Sequence, residues 1–131
     1  MVVDSSAVIA VLAADKPDHA LVERLSCAHE LHAPQLLDIE VLHVLRRLVA
    51  TGHLNARRAQ QVREDFAALR VRRYPHEPLA DRIWELRDTL TPSDAAFVVL
   101  AETLEVLFVT CDPRLASAQG HGAEVEFFRE T

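Results

Sequence analysis

The sequence predicts an α/β fold built on a parallel sheet covered by helices on both faces. Short apolar segments of strand length alternate with longer segments of helical period along the chain. The apolar segments, most clearly residues 106–109, run without polar interruption, as strands buried on both faces do. At 131 residues, half of them hydrophobic, the chain has the size of one domain spanning 1–131. No linker or repeat divides it.

The elements follow in order. Val2 and Val3, running into Asp4, form a short buried strand. Ser5 or Ser6 can cap a helix over 7–14. The stretch 15–18 is a turn, and Asp18 caps a helix to about Cys27. Residues 31–33 make a second strand, closed by Pro34. Residues 35–51 are helical, with Leu37, Val41, Val44 and Leu48 on one stripe, and Gly52 ends them. Asn55 caps the next helix, to about Leu69, and 71–74 read as a third strand. Pro78 opens a helix to Leu90, and Thr91 opens another to Thr103. The fourth strand is 106–109. Pro113 starts a short helix, and 125–128 form the last strand. Sheets of this kind bind ligands at the carboxyl ends of their strands, near the point where strand order reverses.

No apolar run approaches the roughly 20 residues that span a bilayer. The opening segment reaches an acid at position 4 and lacks the basic start of a signal peptide. A cytoplasmic protein without a membrane partner is expected. Cys27 and Cys111 form no CxxC pair and read as reduced packing residues. The net charge of −6 is unevenly spread: residues 46–73 hold eight arginines against Glu64 and Asp65. That segment is a phosphate-binding surface, a face for an acidic partner, or plain solvated helix. Trp84 reads as core or dimer interface. The seven histidines are scattered; His43 lies three residues from Glu40 and reads as a surface or packed residue.

Four carboxylates carry the chemical signal. Asp4 and Asp112 end the first and fourth strands, which places both on the ligand-binding edge of the sheet. Each is also a candidate helix cap. Glu40 sits on an apolar helix face beside Leu36, Leu37 and Val44, where a carboxylate carries a desolvation penalty unless compensated. A metal or Arg47 would compensate it. Asp94 lies in Thr91-Pro92-Ser93-Asp94, which has capping-box form. Clustered carboxylates repel one another and are tolerable around a divalent cation. An all-oxygen ligand set favours Mg²⁺ or Mn²⁺ over zinc.

The segments MVVDSSAVIAVL, APQLLDIEVLHVLRRL, LTPSDAAFVVLAETL and FVTCDPRLA, in this order and spacing, resemble PIN-domain nucleases across essentially the whole chain. Within that family they resemble the VapC toxins of VapBC toxin–antitoxin pairs. The resemblance implies a three-layer α/β/α sandwich and a Mg²⁺- or Mn²⁺-dependent endoribonuclease. It implies Asp4 and Asp94 as direct metal ligands, Glu40 acting directly or through water, and Asp112 completing the acidic pocket as a further ligand. Ser5 and Thr110 match supporting polar positions. A homodimer, an RNA substrate and a VapB-type antitoxin that plugs the cleft are implied as partners. The chain departs from many relatives after the fourth carboxylate, where residues 113–116 supply no further acid or Asn. That departure argues for one metal rather than two.

A phosphoacceptor signalling domain would need a lysine near the last strands, and the only lysine is Lys16. The remaining alternative is a non-catalytic PIN-fold module that binds RNA or protein. Cleavage separates it from the nuclease, whereas metal binding does not.

Overall fold

A computed structural model describes residues 1–129. Strands β1 (Val2–Val3), β2 (Leu31–Pro34), β3 (Val71–Tyr74), β4 (Phe108–Thr110) and β5 (Val125–Phe127) form one sheet in the order β3-β2-β1-β4-β5. All neighbours are parallel. The chain first builds outward from β1 through β2 to β3, then returns to the other side of β1 with β4. Strand order therefore reverses between β1 and β4.

Helices α1 (Ser5–Leu12), α3 (Leu36–Ala50) and α4 (Ala56–Ala68) pack on one another, with α2 (His19–Ser26) against α1. Helix α6 (Pro92–Leu104) lies across β1, β2 and β4, with α5 (Ala80–Glu85) against it. Helix α7 (Pro113–Ala116) packs on β4 and β5. The result is the expected α/β/α sandwich. Residues 95–101 of α6 are all buried, which explains why AAFVVLA has no polar side. Phe97 stacks on Phe108 of β4 at 6.4 Å between ring centroids. Burial of a side chain of this size stabilises by roughly 1.5–3 kcal/mol.

Several boundaries differ from expectation. Of the candidate caps Asp4, Ser5 and Ser6, it is Asp4 that caps α1: its carboxylate accepts from the Ala7 N–H, so the helix starts at Ser5 rather than at Ala7. Strand β4 starts at Phe108 because the Val106 N–H bonds the Ala101 carbonyl and closes α6, with Glu105 in the left-handed region at φ 55°. The helix expected to reach Leu90 stops at Glu85, preceded by a 3-10 turn at Glu77–Leu79. Beyond it the chain keeps helical spacing in tight turns, with Arg87 N–H on the Trp84 carbonyl and Thr89 N–H on the Leu86 carbonyl. That is why Leu79, Ile83, Leu86 and Leu90 show helical period although the helix is short. The last strand ends at Phe127 rather than 128. Gly52, at φ 78°, ends α3 as expected.

Burial corrects the packing reading of Cys27 and chooses between the two readings of Trp84. Trp84 is 65% exposed, with the Arg87 guanidinium 4.7 Å from its ring centroid; of its two readings this excludes core and is compatible with an interface. Cys27 is exposed at the end of α2, whereas Cys111 is buried; they form no disulfide. Among the described residues no helix is long and apolar enough to cross a membrane.

Candidate active site

The register of β1 on β4 sets the site. Val2 pairs with Phe108 and Val3 with Val109, so Asp4 and Thr110 come level as the two strands end. Thr110 donates its hydroxyl to Asp4 Oδ2 at 2.6 Å. Ser6, the second residue of α1, donates to Asp4 Oδ1 at 2.6 Å and accepts the Cys111 N–H at 2.9 Å. The Asp112 N–H bonds back to Thr110 Oγ1 at 3.0 Å. The Ser6 and Thr110 oxygens lie 3.3 Å apart. Each hydroxyl has one proton and spends it on Asp4, so that approach is a contact between two acceptors. The two strand ends are thus tied through one carboxylate.

Asp4 is 4% exposed. Its Oδ1 accepts two hydrogen bonds and its Oδ2 one, so Oδ2 retains acceptor capacity. Burial pushes the Asp4 carboxyl above its usual range, and the Asp112 charge adds to this. The three hydrogen bonds oppose it.

Glu40 enters from α3. Leu37, Val41 and Leu45 are fully buried there, and Glu40 stands half-buried at the edge of their stripe. Ser5 Oγ, rather than Arg47, donates to its Oε2, at 3.3 Å. Burial, together with the charges of Asp94 and Asp4, pushes the Glu40 carboxyl up to about 7 despite that bond.

Asp94 enters from the first turn of α6. Thr91 caps this helix, its Oγ1 accepting the Asp94 N–H at 3.3 Å. The backbone half of the expected capping box is made. The Asp94 carboxylate instead lies 3.7 Å from Nη2 of Arg114. Asp112 caps α7, its Oδ1 accepting the Arg114 N–H at 2.9 Å. Burial would raise Asp112, but the Arg114 guanidinium and N–H outweigh it and hold the carboxyl below its usual range.

All four carboxylates, with Ser5 and Ser6, line a single cleft of about 640 Å³ at the carboxyl ends of β1 and β4. Capping and cleft-lining prove compatible: Asp4 and Asp112 do both. Two basic side chains, Arg47 and Arg114, and His43 share the cleft. His43, read as a surface or packed residue, is exposed and lines the cleft one turn beyond Glu40. Thr110 supports the site from beneath, fully buried. Ser6 was seen only as a candidate cap. Its signal was its place two residues after a strand-end acid, facing a second strand end. The basic segment is partly committed elsewhere. Arg73 pairs with Asp38 at 2.6 and 2.9 Å, and Arg58 donates to the Leu12 carbonyl at 2.8 Å.

The donor set is hard oxygen, which suits a divalent ion such as Mg²⁺ or Mn²⁺. Asp4 Oδ2 has acceptor capacity to give, and a cation, the Arg114 guanidinium, already sits between Asp94 and Asp112. As the side chains stand, no group of three or more His, Cys, Asp or Glu among the described residues is set to hold an ion. The chemistry of the cleft fits the ion, and Arg114 occupies part of it.

Comparison with known proteins agrees with this geometry. The PIN domain family model matches residues 1–120. Ribonuclease VapC12 of Mycobacterium tuberculosis is 37% identical over 126 residues, covering 96% of this chain and 97% of the relative. Ribonuclease VapC9 of the same organism is 40% identical over 116 residues, covering 88% of each chain. The crystal structure of PAE2754 from Pyrobaculum aerophilum superposes with a TM-score of 0.69 at 23% identity, over 95% of this chain and 81% of that one, and so shares the fold. The chain belongs to the PIN-domain family, in its VapC branch.

Proposed function

We propose that this protein is the endoribonuclease toxin of a type II toxin–antitoxin pair, hydrolysing RNA phosphodiesters in the four-carboxylate cleft. The observation that carries the proposal is convergence. Asp4, Glu40, Asp94 and Asp112 come from four separate parts of the chain to one cleft at the reversal of strand order.

Asp4, Asp94 and Asp112 would hold one Mg²⁺ or Mn²⁺. When bound, such an ion supplies Lewis acidity toward the phosphoryl oxygen and lowers the pKa of the attacking water. Glu40 is the general base. In the metal-free protein its carboxyl is pushed up to about 7 by burial and by the charges of Asp94 and Asp4; it lines the cleft with Ser5 donating to its Oε2, placed to take a proton from an attacking water. Ser6 and Thr110 hold Asp4 in one orientation, a preorganised anchor for the rest. Arg47, on the cleft wall, pairs with substrate phosphate and offsets the acidic lining that would otherwise repel RNA.

A protein partner is supported by apolar surface. Ile39, Leu42 and Val49 are exposed on α3, beside the cleft wall, and Trp84 is exposed on α5. A VapB-type antitoxin and a second copy of this chain are the proposed occupants of such surfaces.

The test is digestion of total cellular RNA by the antitoxin-free protein with Mg²⁺ or Mn²⁺, against a chelator control. Discrete fragments with 5′-phosphates, formed only with metal, are expected. No cleavage by folded, metal-bound protein would leave a binding module in its place.

A further inference from the structure

Arg114 is, among the described residues, the one cation within ion-pair distance of any of the four carboxylates. Its Nε lies 3.2 Å from Asp112 Oδ1, and its Nη2 lies 2.6 Å from Asp112 Oδ2 and 3.7 Å from Asp94 Oδ2. The guanidinium therefore grips Asp112 with a fork and bridges toward Asp94, joining the start of α7 to the start of α6. Asp112 Oδ1 also accepts the Arg114 N–H. Both oxygens of Asp112 are thus occupied by a residue two positions along the chain.

That short tether matters. Pro113 occupies the first position of α7 and fixes its own φ, so the backbone that carries Arg114 is preset. The guanidinium is always present at high effective concentration beside the carboxylates. Yet the side chain is 71% exposed, so nothing packs it in place. A divalent ion on Asp94 and Asp112 would meet the guanidinium as a like charge competing for the same lone pairs. An arginine displaced from carboxylates has another bidentate partner at such a site, two oxygens of a phosphate group.

We propose that Arg114 is a tethered counter-ion that holds Asp94 and Asp112 until a divalent ion displaces it, and that then engages the RNA phosphate at the cleft mouth. This rests on the reading that Asp94 and Asp112 take the metal. It gives residues 113–116, which lack a further acid, a positive function: the cationic group stands where the next carboxylate is missing.

The experiment is Mn²⁺ titration of the antitoxin-free protein, followed by electron paramagnetic resonance of free Mn²⁺. Wild type is compared with Arg114→Met, which keeps an unbranched apolar stem and loses the charged head, and with Arg47→Met, which removes a cation from the same cleft without touching that pair. Arg114→Met should bind Mn²⁺ up to about fivefold more tightly, the scale of one exposed ion pair. Arg47→Met should change affinity less. At saturating Mn²⁺, Arg114→Met should cleave total RNA at least about tenfold more slowly, so affinity and rate move in opposite directions. Unchanged or weaker Mn²⁺ binding, or equal tightening by Arg47→Met, overturns the counter-ion role. Tighter binding with undiminished cleavage overturns the phosphate contact. No Mn²⁺ binding by wild type or either variant overturns the metal reading itself, which is a distinct failure.

Discussion

Thr110 donates its hydroxyl to Asp4 at 2.6 Å across 106 positions of sequence, and the same oxygen accepts the Asp112 N–H. One buried side chain thus fixes the spacing between two acids of the cleft. Thr110→Val keeps the shape and removes the hydroxyl. It leaves the Asp112 N–H without its acceptor and Asp4 Oδ2 without its donor. A loss of about 1–3 kcal/mol is expected, read by denaturant unfolding. Thr110→Ser, which keeps the hydroxyl, should lose distinctly less. Equal losses in the two variants would place the effect in packing.

Asp4→Asn tests how far capping and chemistry separate. Asn is as good a cap as Asp, so α1 should persist. Removing the charge relieves repulsion with Asp112, but the amide nitrogen cannot accept a hydrogen bond, so one hydroxyl donor loses its partner. The two effects oppose. Stability should stay within about 1 kcal/mol of wild type while metal-dependent cleavage is lost. Retained cleavage would remove Asp4 from the metal.

Glu40 gives a pH signature in the metal-free protein. Its carboxyl sits at about 7 in the fold, against 4.5 for the unperturbed group. A raised acid stabilises the fold while protonated. That contribution is whole below about pH 4.5 and is lost as pH rises through 7. Glu40→Gln should abolish this part of the pH dependence and make the apo protein more stable above pH 7, by about 1–2 kcal/mol after allowance for partial exposure. Thermal unfolding in chelator at pH 5 and pH 8 reads it. A variant no more stable than wild type at pH 8 would contradict the desolvated carboxylate.

The arginines of 46–73 should divide into two classes. Arg73 is held by Asp38 from α3, and Arg73→Ala should cost stability, on the order of 1 kcal/mol, without altering RNA binding. Arg47 lines the cleft, and Arg47→Ala should weaken RNA binding and lower its salt slope by about one. An unchanged slope in Arg47→Ala would assign that wall of the cleft to something other than phosphate.

Much of this was legible in the sequence because strand ends are easy to read. VV before Asp4 and FVT before Cys111-Asp112 mark the sheet edge, and a parallel topology then brings both acids together. Glu40 was legible as an acid amid a helical apolar stripe. What stayed hidden depends on register and rotamer. Whether Ser5 or Ser6 met Asp4, and which met Glu40, follows from the start of α1, and that start moved because Asp4 itself is the cap. Arg114 looked like an absence of acid. Only the turn into α7 lays its guanidinium back over Asp112 and Asp94. For Trp84 the sequence left core and interface open, and its exposure on α5 excludes the core.

The central claim is that the four carboxylates act as one metal-dependent cleavage site, and Asp94→Asn tests it most directly. Thr91 Oγ1 caps the helix through the Asp94 backbone N–H, so the variant keeps its cap and should fold as wild type does. The measurement is cleavage of total RNA by folded Asp94→Asn beside wild type, each with Mg²⁺ and with chelator. The account predicts metal-dependent fragments from wild type and none from the variant. Cleavage by Asp94→Asn at the wild-type rate would contradict it and return Asp94 to a role in the helix start alone.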